Sequence, residues 1–344
     1  MKSLKLYYTT IFSGIGMLIL ILDSKTALQA ASQGVMMCVQ TVIPALFPFF
    51  FLSMFLSNGL SGLQLAIFHP MERFCRIPVG SAPTLLTGLL GGYPVGAKCV
   101  ADSVASGQLS QKDARRMLGF CNNAGPAFIF GMGSSLFDNP VIPWAVWLIQ
   151  LISALLTAHL LPGKSDSTYT PSREGSITLH RALRQSISVM SSVCGWVLLF
   201  RVIITFLDRW VSFLIPKEVF LFLSGMFELT NGCLGLSEVS SLPLKILLYS
   251  IFINLGGLCV AFQTMSVTGS LGTGLYFPGK LLQGLISSFG IVAYLQISGY
   301  NMLQSTIFPV MLPLLLILSA YFLHISKKDI AIRRRILYNK KKAS

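Results

Sequence analysis

Eight stretches of this chain are apolar for long enough to cross a membrane as helices: about 6–22, 34–60, 117–137, 141–162, 186–207, 246–268, 278–298 and 303–325. A hydrocarbon core of about 30 Å takes about 20 helical residues. No soluble fold of this size can hide so many runs of that length. The pattern excludes a soluble enzyme, a disordered chain and a secreted disulfide scaffold. Only 11% of residues are charged, against about 25% in soluble domains. The 7 Cys stand singly in apolar runs without a CxxC, so they read as small buried hydrophobes. The first run has Lys2 and Lys5 before it and Asp23-Ser24-Lys25 after it. That is not a small-residue cleavage site, and the run is expected to stay as a signal anchor.

Two further apolar stretches, 82–107 and 217–240, are interrupted in the middle. Gly91-Gly92-Tyr93-Pro94 breaks the first, and Glu228-Leu229-Thr230-Asn231-Gly232 breaks the second. Gly and Pro punctuate helices, and the flanks left over are too short to span. Each stretch therefore reads as a re-entrant helical hairpin, because irregular backbone at membrane depth survives only inside protein or beside water. The alternative is a single kinked span.

The hairpins head an internal repeat. LLTGLLGGYPVGAKC leads into RMLGFCNNAGPAFIFGMGSS, and LFLSGMFELTNGCLG leads into LLYSIFINLGGLCVAFQTMS. Asn123-Ala124-Gly125-Pro126 aligns with Asn254-Leu255-Gly256-Gly257, and IQLIS at 149–153 with LQGLIS at 282–287. The unit is hairpin, broken span, plain span, at 82–162 and 217–298. The organisation is N-terminal scaffold spans over 1–80, repeat one over 81–162 and a cytoplasmic linker with a connecting span over 163–216. Repeat two covers 217–298, and a last span with a basic tail covers 299–344.

Charge fixes sidedness. The chain has 26 Lys+Arg against 12 Asp+Glu, and basic loops stay in the cytoplasm. With the tail (Lys327, Lys328, Arg333–Arg335, Lys340–Lys342) inside and the hairpins not crossing, the 269–277, 163–185, 107–116 and 61–80 loops all fall inside. Both termini are then cytoplasmic. Lys25, Arg209, Lys217 and Lys245 are left outside, and the repeats have opposite topology. The expected fold is an all-α polytopic membrane protein of about eight spans plus two re-entrant hairpins in an inverted repeat.

Inverted repeats with broken helices are a transporter design, with substrate bound where the breaks converge. The candidate substrate-binding residues are Gly91, Gly92, Tyr93 and Pro94; Asn122, Asn123, Gly125 and Pro126; Glu228, Thr230, Asn231 and Gly232; and Asn254, Gly256 and Gly257. Lys98 joins them, as an intramembrane cation able to meet an anion, unless it pairs with Asp102 one turn on. Glu228 could hold a coupling proton or sodium, or a substrate hydrogen bond. Arg201 reads as structural. The four His lie near span ends, and no HExxH, GxSxG or phosphate loop occurs. No enzyme, cofactor, metal or nucleic-acid partner is expected. A small-molecule anion and membrane lipid are expected, and a homo-oligomer is compatible with the sequence.

GLLGGYPVGAK, ARRMLGFCNNAGPAFIFG and the earlier TVIPALFPFFFLS resemble the sporulation integral membrane protein family of endospore-forming bacteria. That family carries a nucleoside-recognition (Gate) domain, itself similar to the core of concentrative nucleoside transporters. The resemblance covers about 30–325. It implies two re-entrant hairpins and two broken helices, and a place in the mother-cell-derived outer forespore membrane. It also implies movement of dipicolinic acid, a planar aromatic dianion, by alternating access. GGYP stands where nucleoside carriers have a Gly-Gln-Ser/Thr-Glu type of tip, which counts against nucleoside transport. Nucleoside or nucleobase carriage and a non-transporting assembly or gating subunit are the other readings.

Overall fold

The computed structural model describes residues 2–60, 66–163, 165, 169 and 177–300. The expected 303–325 span and basic tail, and Lys164 and Arg173 of the linker, lie outside the described residues. Among those described the chain is helical and without strands.

The N-terminal scaffold is more continuous than the apolar runs suggest. Helix α1 (Lys2–Leu22) stops at Asp23, whose carboxylate caps α2 (Ser24–Met37). A π-helical segment, Cys38–Val42, then leads into α3 (Ile43–Leu60). Pro44 has no N–H to offer the preceding turn, and the wider π turn absorbs that loss. Helix α4 (His69–Cys75) follows.

Repeat one contains α5 (Ala82–Leu90), α6 (Val95–Ala105), α7 (Gln111–Met117), α8 (Pro126–Leu136) and α9 (Val141–Leu160). The long α10 (Leu179–Val211) connects to repeat two. There follow α11 (Lys217–Phe227), α12 (Leu229–Gly235), α13 (Leu242–Leu255), α14 (Gly257–Thr268) and α15 (Tyr276–Ile297). Among the described residues, five helical stretches are long and apolar enough to cross a membrane: Ser24–Leu56, Val141–Leu160, Leu179–Leu214, Leu242–Leu271 and Tyr276–Ile297. Thr10–Leu22 and Pro126–Leu136 are apolar but shorter. The 117–137 run is thus mostly break and half-helix. Gly119, Gly125 and Pro126 punctuate it, and the chain from Leu118 to Gly125 has no helix.

The interrupted stretches double back on themselves. An ideal Cβ built at Gly96 would lie 2.8 Å from Gly88 Cα, and one at Gly232 would lie 2.3 Å from Gly225 Cα. In a continuous helix, residues seven or eight apart are more than 10 Å away. The arms α5 and α6, and likewise α11 and α12, therefore pack antiparallel, with glycine against glycine where they cross.

The loops sort into two groups. The buried Arg116 guanidinium donates to the carbonyls of Cys75 (3.0 Å), Arg76 (3.1 Å), Ala158 and Leu161. Leu275 N–H donates to Arg115 O at 2.7 Å. The loops around 76, 115, 163 and 275 thus share one end. Tyr169 ties Val79 to Gln108, joining the two feet of the first hairpin there. Asp23 and Arg209, both on the other side of the charge map, pair at 3.2 Å.

Helix α9 buries polar residues and exposes apolar ones. On α9 the exposed stripe is Val141, Trp144, Leu148, Ile152 and Leu156, while Gln150, Ser153 and Thr157 are buried. An apolar stripe of this kind at helical spacing faces lipid. The chain is an integral membrane protein.

Candidate functional site

Tips and breaks converge at the centre. Helices α6, α8, α12 and α14 all begin there, while α5, α11 and α13 end there. Both N–H donors and free carbonyls therefore point inward. Buried side chains decide the local charge.

The first tip is four residues long. Gly92, at φ +84°, packs against Gly125 of the break, where a Cβ would lie 3.1 Å from Gly125 N. Tyr93 leaves its own repeat and donates to the carbonyls of Ile253 (3.2 Å) and Asn254 (3.4 Å) at the end of α13. The Tyr93–Pro94 peptide bond is cis. Asn122 and Asn123 are fully buried. Asn122 accepts from Ala97 N–H and donates to Thr264 Oγ1 at 2.8 Å, so it joins α6 to α14. Pro126 opens α8, where its missing N–H costs nothing.

The second tip is a single extended residue, Glu228. Its carboxylate accepts from Thr230 N–H (3.0 Å), Asn231 N–H (2.7 Å) and Asn231 Nδ2 (2.8 Å), a charged N-cap for α12. Asn231 Oδ1 accepts from Arg201, which also donates to Gln33 at 2.6 Å. One amide thus links a buried carboxylate to a guanidinium. Gly257 lies over Met226 O, bringing the second break onto its own tip. Gly256 takes φ +73° and lets α13 hand over to α14 within one residue.

At the centre the two aligned asparagines meet on one side chain. Gln283 Nε2 donates to Asn123 Oδ1 at 2.7 Å and to Asn254 Oδ1 at 3.1 Å. Lys280 Nζ donates to Asn123 Oδ1 at 3.1 Å and Gln283 Oε1 at 2.8 Å. Lys280 is 3% exposed. Among the described residues no carboxylate pairs with it. Gln150, the counterpart of Gln283 in repeat one, donates to Ala124 O at 2.9 Å. A cavity of about 30 Å³ lies beside this cluster, lined by Tyr93, Ala124, Gly125, Glu228, Thr230 and Gln263 among others.

Among the residues singled out from sequence, both tips and both breaks come together here. Lys98 does not. It faces Asp102, 2.8 Å away across one turn of α6, and does not line the cavity. Lys280, Gln283 and Gln150 were missed. The signal for both glutamines was present in the aligned IQLIS and LQGLIS. Lys280 was overlooked because it stands near the start of its apolar run, where a lysine is expected to reach the surface.

No family model matches the chain, and no solved structure matches it. Among curated proteins it is similar to the sporulation integral membrane protein YlbJ of Bacillus subtilis, with 25% identity over 316 aligned positions. The match covers 77% of this chain and 76% of that protein. Over most of its length, then, this membrane protein resembles one that is named for sporulation.

Proposed function

We propose that this chain is a carrier that moves a small organic anion, dipicolinate, across the membrane around the forespore during sporulation. It works by alternating access and is not an enzyme. The carrying observation is the Gln283 amide held between Asn123 and Asn254. Two positions that align in the sequence repeat share one buried partner, which supports a binding site where the two halves meet. On this reading the two helix–turn–helix units are re-entrant hairpins, with both termini cytoplasmic. The similarity to a sporulation membrane protein supports the setting.

A cavity of about 30 Å³ holds about one water and is far too small for an aromatic dicarboxylate. This conformation corresponds to a closed carrier, and the tips must separate for cargo to enter. Glu228 lines the same cavity. Its negative charge opposes an incoming dianion, so a proton or sodium bound at Glu228 would couple the cation to the anion.

The test is uptake by proteoliposomes of radiolabelled dipicolinate and of nucleosides, with and without proton and sodium gradients. Concentrative dipicolinate uptake is expected, driven by one of the two gradients. Uptake of nucleosides alone would replace this reading with nucleoside carriage. Uptake of neither would leave an assembly or gating subunit.

A further inference from the structure

Lys280 is a feature of the centre that packing does not explain. A buried ammonium without a counter-ion is costly, and a neutral side chain of similar length would satisfy the amides around it. Its coordination is also incomplete. An ammonium has three N–H donors, but among the described residues two oxygens accept from Nζ, those of Asn123 and Gln283. On another side lies the ring of Tyr93, its centroid 5.1 Å from Nζ. That is the geometry of a cation resting on a π face. Tyr93 also lines the central cavity, and Lys280 does not. The ring belongs to the first tip, and its hydroxyl is held by two carbonyls at the end of α13. Tyr93 thus touches both the cavity and the ammonium.

We propose that Lys280 is the capture group for a carboxylate of the cargo, and that Tyr93 is the removable cover over it. In the closed state the ring supplies a weak, neutral partner for the cation. When the first tip withdraws, the ring leaves and Nζ opens to the cavity. A carboxylate oxygen then takes the third donor, forming a charge-assisted hydrogen bond in a dry site. Asn123 and Gln283 hold the ammonium in place throughout, and Asn254 fixes the Gln283 amide from the other repeat. The ligand class is a small planar carboxylate, and one carboxylate per ligand is required at this point. This assignment rests on the carrier reading and specifies what that reading leaves open, the residue that recognises negative charge.

The experiment compares pyridine-2,6-dicarboxylate with its neutral diamide, which has nearly the same shape, using the full chain in proteoliposomes. The wild type should take up the acid and reject the diamide. Lys280→Met should lower acid uptake about tenfold or more and bring the acid-to-diamide preference close to one. Lys280→Arg should keep the preference at a reduced rate. A second measurement needs no variant. Acylation of Lys280 in the wild type, read by mass spectrometry, should be blocked by the dicarboxylate and not by the diamide. The proposal is overturned if Lys280→Met keeps the wild-type preference, or if a transported dicarboxylate leaves Lys280 acylation unchanged. Failure of the wild type to move any carboxylate overturns the carrier reading itself, which separates the two failures.

Discussion

The two hairpins share a plan and differ in what their tips do. The first turns over four residues and sends a tyrosine across to the opposite repeat. The second turns over one residue, and its carboxylate closes on the backbone of its own second arm. One tip is neutral and reaches outward. The other is charged and satisfies itself. The two tips thus share a geometry and differ in chemistry. The shared plan is steric, carried by Gly88 with Gly96 and by Gly225 with Gly232. The difference is electrostatic, carried by Tyr93 and Glu228.

The largest expected effect strikes the shared plan. A methyl at Gly96 would lie 1.7 Å from Cys121 O, and one at Gly232 would lie 2.3 Å from Gly225 Cα. Gly96→Ala and Gly232→Ala should each cost about 3 kcal/mol or more. Gly195→Ala, with open space around it, should stabilise α10 by up to about 1 kcal/mol. Thermal unfolding in detergent reads all three, and an unchanged midpoint for Gly96→Ala would break the picture of interlocked arms.

Next comes the axis. Gln283 serves Asn123, Asn254 and Lys280, whereas among the described residues Gln150 makes one hydrogen bond, and its Oε1 has none. Gln283→Leu should cost about 2–3 kcal/mol and Gln150→Leu about 1 kcal/mol. Equal losses in the same unfolding assay would show that the repeats are used symmetrically.

Smaller effects separate the tips. Glu228→Ala removes the α12 cap and should cost about 1–2 kcal/mol, with Glu228→Gln losing less because an amide oxygen still accepts. The sharper readout is dependence of uptake on the ion gradient, which both variants should lose if Glu228 holds the coupling cation. Tyr93→Phe removes only the hydroxyl donated to α13 and should cost about 1 kcal/mol. With its ring kept, Tyr93→Phe should transport with unchanged selectivity and an altered rate, since the tip then releases more easily. A change in selectivity would mean that the hydroxyl itself touches cargo.

The two tips were legible in the chain for different reasons. Gly91-Gly92-Tyr93-Pro94 cannot continue a helix. Glu228 inside an apolar stretch has to find donors, and the nearest are the free N–H groups of a helix start. The break at 118–125 is longer than the runs implied, because an apolar composition does not distinguish helix from loop once the loop is buried. Lys98 and Lys280 show the limit most directly. Both are lysines in apolar surroundings. The one singled out from sequence pairs with an acid on its flank, and the one passed over sits at the centre. Lys98 finds its acid one turn on, a pairing visible in the sequence, whereas Lys280 turns to Asn123 on a distant segment, which is not encoded locally.

The sequence by itself determined that the chain lives in a membrane, where its helices are interrupted, and which of its segments are basic. These follow from hydrophobic length, Gly and Pro stereochemistry and the basic residues, each a property of a short segment. Only the tertiary structure decided that Asn123 and Asn254 share Gln283, that Asn231 joins Glu228 to Arg201, and that the Tyr93 ring lies over Lys280. Most of those contacts join residues far apart in the chain. They form because a buried polar group must find its partner wherever the packing brings one within reach.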